Sequence, residues 1–127
     1  MHRYIKPENI VFDNMNNLRN IDFGLSVIMS HKELEETYET YFYASPEIHN
    51  KGKYNKATDI WSFGILLYYI LICDFPFDRN NYETKLMIGD MPHELDFHKS
   101  LNYINASEQL QYLIKHCLKK IIINGLK

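Results

Sequence analysis

The sequence predicts one mainly helical domain with a small β-hairpin, and three features carry that prediction. A near-continuous apolar run, "IWSFGILLYYILIC", fills residues 60 to 73. Further on, Leu110, Leu113, Ile114, Cys117, Leu118 and Ile121 recur at helical spacing. Near the start, two short β-rich runs, "NIVFD" (9 to 13) and "LRNID" (18 to 22), flank "NMNN", whose asparagines suit a turn.

In chain order, the hairpin comes first. Residues 24 to 43 show neither a period of 2 nor one of 3.6 and carry Glu33, Glu35, Glu36 and Glu39, the pattern of an exposed loop. "SPEI" and the turn-forming "NKGKYN" lead into the long apolar run, which reads as a buried helix capped near Thr58 or Asp59. A helix apolar nearly all round belongs in the middle of a domain, with other elements packed about it. Its 14 residues, interrupted by Ser62 and Gly64, fall short of the roughly 20 that a bilayer requires. "CDFPFDRNN" ends it, and the stretch from Tyr82 to Ile104 reads as a weak helix followed by loop. Asn105, three places before Glu108, resembles a capping box for the last, amphipathic helix.

Length and composition bound the function classes. With 127 residues the chain holds one domain, able to bury roughly two-thirds of the surface its unfolded form exposes. Apolar residues make up 46% and charged residues 24%, and the net charge of -2 provides no field for nucleic acid or an acidic membrane. Partners must therefore be argued from a site. Cys73 and Cys117 form no CxxC or CxxH grouping, so neither a disulfide framework nor a zinc site is indicated, and the reading is an intracellular, cytoplasmic protein. No signal peptide opens the chain.

Four separated motifs stand in order: "HRYIKPEN" (2 to 9), "DFG" (22 to 24), "SPE" (45 to 47) and "DIWSFG" (59 to 64). Any one alone is uninformative. Together they resemble the large, mainly helical lobe of a eukaryotic protein kinase, with its H-R-D-L-x-x-x-N, D-F-G and A-P-E pattern. Lys6 in "IKPEN" and the stretch "TYFYASPEI" resemble the serine/threonine branch, and "DIWSFGILLYYIL" is similar to the calcium/calmodulin-dependent and calcium-dependent group. The resemblance implies a protein-kinase-like large lobe spanning residues 1–127, incomplete at both ends, with the small lobe absent.

The resemblance also implies roles. Asn9 and Asp22 would hold magnesium on the ATP phosphates, because magnesium takes hard oxygen ligands. Lys6 would stabilise the transferring phosphoryl group, and Glu8 would receive a basic side chain of a peptide substrate. Arg3 would pair with a phosphorylated activation-loop residue, for which Thr37 and Thr40 are candidates. Glutamates supply a net charge of -3 over residues 32 to 39, a permanent alternative to that phosphate. His2 and Phe23 would stack above Asp59, whose carboxylate would hold the backbone of the catalytic loop.

The chain departs from the family pattern at several places. Tyr4 occupies the position of the catalytic aspartate, and a phenol with a reference pKa of about 10 brings no negative charge at pH 7. Losing a general base typically costs about 10²- to 10⁴-fold. The Gly-rich loop, strand lysine and hinge that cover ATP in the family have no counterpart, so an apolar face is expected to stand exposed. At the far end "IIINGLK" replaces the segment whose arginine pairs with the A-P-E glutamate, which leaves Glu47 without that partner. Asn20 stands in a strand position usually apolar, and Cys73 where glycine is usual.

The sequence thus reads as a serine/threonine kinase family fragment, inactive as an isolated chain and expected to bind ATP-magnesium no better than about millimolar. Two other readings stand beside it. One is a pseudokinase-like module that binds a protein partner or self-associates through its exposed face. The other is an active kinase whose small lobe is encoded upstream.

Overall fold

Two short β-rich runs and an asparagine-rich turn fold the start of the chain back on itself. In the computed structural model, which describes residues 1–3, 5–28, 42–49, 55–77 and 105–119, strands β1 (Ile10–Phe12) and β2 (Leu18–Asn20) pair antiparallel. The register sets Ile10 opposite Asn20, Val11 opposite Arg19 and Phe12 opposite Leu18. The turn is organised by Asp13. Its Oδ1 accepts the backbone N–H groups of Met15 and Asn17, both at 2.9 Å, and its Oδ2 accepts Asn17 Nδ2 at 3.1 Å and Arg19 Nε at 3.0 Å. An aspartate doing this mimics a backbone turn with its own side chain. These bonds stabilise the ionised form and hold the Asp13 carboxyl below its ordinary value. Asn16, at φ 61°, supplies the left-handed residue of the turn.

Three α-helices follow among the described residues: α1 (Pro46–His49), α2 (Ala57–Ile72) and α3 (Glu108–Cys117). The start of α2 differs from the sequence reading. Asn55 Oδ1 accepts from the N–H of Ala57 at 2.9 Å, and Thr58 and Asp59 lie inside the first turn. The reason is tertiary: Thr58 is fully buried, and Asp59 turns its carboxylate to another segment. At the other end, Cys73 closes α2 at φ 58°, in the left-handed conformation that glycine adopts without a Cβ penalty. The cap of α3 also differs, since Ser107 rather than Asn105 accepts an orphan N–H, that of Leu110, at 3.3 Å. Asn105 is two residues earlier and exposed, and Ile121 and the Tyr82–Ile104 stretch lie outside the described residues.

The core forms where α2 meets α3. Trp61, Ile65 and Tyr68 of α2 pack with Ile114, Leu118 and Tyr43, and burying side chains of this size contributes about 1.5–3 kcal/mol each. Gly64 allows the two helices to close. A Cβ built there would lie 2.6 Å from Cys117 Cβ and 2.9 Å from Leu118 Cδ2. An aromatic cluster continues the core toward the end of α2, with Phe75 centred 5.0 Å from Phe42, 5.4 Å from Tyr43 and 5.1 Å from Tyr69. Hydroxyls bind the 43–45 segment to α2: Ser62 Oγ donates to the Tyr43 carbonyl at 2.8 Å, and Ser45 Oγ to Thr58 Oγ1 at 3.3 Å. The opposite face of α2 is not covered by described elements, and Ile70 there is 65% exposed.

Candidate functional site

The residues of the first motif are held in place by their backbone, and the holding group is Asp59. Its Oδ2 accepts the N–H of His2 at 2.7 Å and its Oδ1 the N–H of Arg3 at 2.8 Å. Donors aimed at an ionised acceptor make bonds roughly twice as strong as neutral pairs. Because Asp59 sits in the first turn of the best-packed helix, the loop inherits the rigidity of the core. Arg3 takes φ 70°, a conformation that L-residues rarely adopt, and the Asp59 contact offsets that cost.

A second set of bonds ties the loop to the segment after Asp22. Met1 and Val27 exchange backbone hydrogen bonds at 3.0 Å each, and Ser26 Oγ donates to the His2 carbonyl at 3.1 Å. Arg3 is 8% exposed, and its Nε donates to the Leu25 carbonyl at 2.6 Å. The rings of His2 and Phe23 meet at 4.7 Å, tilted by 60° rather than stacked face to face. Phe23 remains 64% exposed, since among the described residues His2 covers only part of it.

A third link joins the two ends of the site. Pro7–Asn9 forms a short 3₁₀ turn, with Pro at its first position, where the missing N–H costs nothing. The Asn9 carbonyl then accepts the N–H of Ile21 at 2.9 Å, one residue before Asp22. Asn9 is buried, while Asp22 is exposed at φ 64° with its Oδ1 accepting the Gly24 N–H at 3.2 Å. A Cβ on Gly24 would lie 3.2 Å from that same oxygen, so glycine keeps the carboxylate close to the turn. Lys6 is half-buried at the start of the 3₁₀ turn, and Glu8 is exposed within it.

Other expected positions fall differently. Glu47, expected to lack a partner, is half-buried in the first turn of α1 and is engaged by another group. With a partner and only partial burial, Glu47 is not the isolated buried charge that would be costly. Tyr4, Thr37, Thr40 and the glutamates at 33, 35, 36 and 39 lie outside the described residues. The Oδ1 of Asn20 is buried without a hydrogen-bond partner, a cost an apolar residue in that strand position would avoid.

Some features of the site were not legible as such in the sequence. Tyr43 is nearly buried, and burial, then the charge of Glu8, then Tyr69, push its phenol above the usual tyrosine range. The binding of Arg3 to the Leu25 carbonyl also follows only from the tertiary structure. Among the described residues no group of three or more His, Cys, Asp or Glu could cage a metal ion. Asn9 and Asp22 carry one amide and one carboxylate, oxygen donors of the hard kind that divalent cations such as magnesium take.

Comparison with known proteins agrees with this geometry. The protein kinase domain family matches residues 1–122. CBL-interacting protein kinase 17 of Oryza sativa subsp. japonica is 41% identical over 136 aligned residues, covering 99% of this chain and 29% of that protein. SNF1-related protein kinase catalytic subunit alpha KIN12 of Arabidopsis thaliana is 39% identical over 82 residues, covering 64% of this chain and 17% of that protein. The chain thus spans less than a third of the length of either relative.

Proposed function

Because the chain belongs to the protein kinase domain family, and to its serine/threonine side, we propose that residues 2 to 24 form the floor of a phosphoryl-transfer site that is inactive in the isolated chain. The observation that carries this reading is the bond from Ile21 N–H to the Asn9 carbonyl at 2.9 Å. It sets the 3₁₀ turn bearing Lys6 and Asn9 beside the residue preceding Asp22. Asn9 and Asp22 would hold magnesium, and Lys6 would lie against the transferred phosphate of ATP. Bound there, magnesium neutralises charge on the nucleotide oxygens. Asp59 keeps the loop from moving away from that position, and Glu8, exposed beside it, receives a basic side chain of a protein substrate. Arg3, whose Nε donates to the Leu25 carbonyl, would donate further N–H groups to a phosphorylated Thr37 or Thr40.

Inactivity rests on two features. Tyr4 offers a neutral phenol where a carboxylate orients and deprotonates the substrate hydroxyl. Residues 1 to 127 also contain no Gly-rich loop to cover the nucleotide. The isolated chain therefore binds ATP-magnesium no better than about millimolar, an affinity of about -4 kcal/mol, and micromolar affinity in calorimetry would overturn this. Fused behind the nucleotide-covering lobe of a related kinase, Tyr4→Asp raises phosphotransfer by about 10²-fold or more. Asn9→Ala or Asp22→Ala abolishes that gain. A fusion that already works at full rate with Tyr4 intact would refute the assigned role of Tyr4, and it would favour an active kinase whose covering lobe is encoded upstream.

A second reading is supported by exposed apolar residues in the hairpin and just after it, where Phe12, Met15, Leu18 and Phe23 all stand in solvent. On that reading the chain is a pseudokinase-like module that binds a protein partner or a second copy of itself, in the reducing cytoplasm suited to its free Cys73 and Cys117. No helix among the described residues is long and apolar enough to cross a membrane. Sedimentation showing a strict monomer across micromolar concentrations would count against self-association.

A further inference from the structure

We draw no further inference here: the strongest candidate, the exposed apolar stripe Ile60, Phe63 and Ile70 on the outer face of α2, carries nothing because the structure does not show what covers it.

Discussion

Replacing Gly64 by alanine tests the packing of α2 on α3 through the sign of its effect. Helix propensity alone predicts a gain, since glycine in a helix interior is about 0.8–1.0 kcal/mol worse than alanine. The structure predicts a loss. The new Cβ would sit 2.6 Å from Cys117 Cβ and 3.0 Å from Leu118 Cγ, whereas carbon atoms pack best at about 3.5–4.0 Å. The helices must therefore move apart by about 1 Å. That shift loosens Ile65, Ile114 and Leu118, which belong to one buried cluster. Overpacking of this kind typically costs about 1–3 kcal/mol, so after the propensity gain the net loss reaches up to about 2 kcal/mol. Urea denaturation followed by tryptophan fluorescence reads it directly, because Trp61 is the single tryptophan and lies in the same cluster. The choice of second-site variant sharpens the test. Cys117→Ala keeps the offending Cβ and gives no relief of the closest contact, while Cys117→Gly removes it. A Gly64→Ala protein that is more stable than the parent by about 1 kcal/mol, as propensity requires, would mean that α2 and α3 do not meet closely at Gly64.

Three other outcomes follow. Asp59→Asn leaves one acceptor for two N–H groups and presents an amide to the other, at an expected cost of about 2–3 kcal/mol; faster hydrogen exchange at His2 and Arg3 checks it, and unchanged protection there would sink the idea. Cys73→Gly relieves a left-handed residue, worth about 1–2 kcal/mol, less about 0.4–1 kcal/mol of added unfolded-state entropy; the urea midpoint rises, whereas a fall would show that the exposed thiol contributes something else. Tyr43 has a raised folded-state pKa, so its contribution is fully present below its unfolded value of about 10 and is lost as pH climbs beyond that; the alkaline decline in melting temperature becomes shallower in Tyr43→Phe, and identical profiles would contradict the assignment.

Much of the architecture was written in local pattern. The hairpin, the apolar run that became α2 and the spacing that became α3 are near-neighbour properties, because side-chain periodicity needs only the chain's own geometry. The four motifs likewise named the family from order and spacing. The caps were less legible. Asn55, Ser107 and three plausible neighbours carry similar side chains, and which oxygen faces an orphan N–H depends on where the helix is pulled by its packing.

What the tertiary structure alone decided is the use made of residues that look unremarkable in a sequence. Ser62 and Gly64 first read as interruptions of an apolar run; folded, Ser62 bonds the Tyr43 carbonyl and Gly64 admits α3. Each case depends on a distance between segments far apart in the chain, and such distances are fixed when whole helices find their closest mutual packing. A sequence records which groups are available to hydrogen-bond or fill space; packing determines which of them meet.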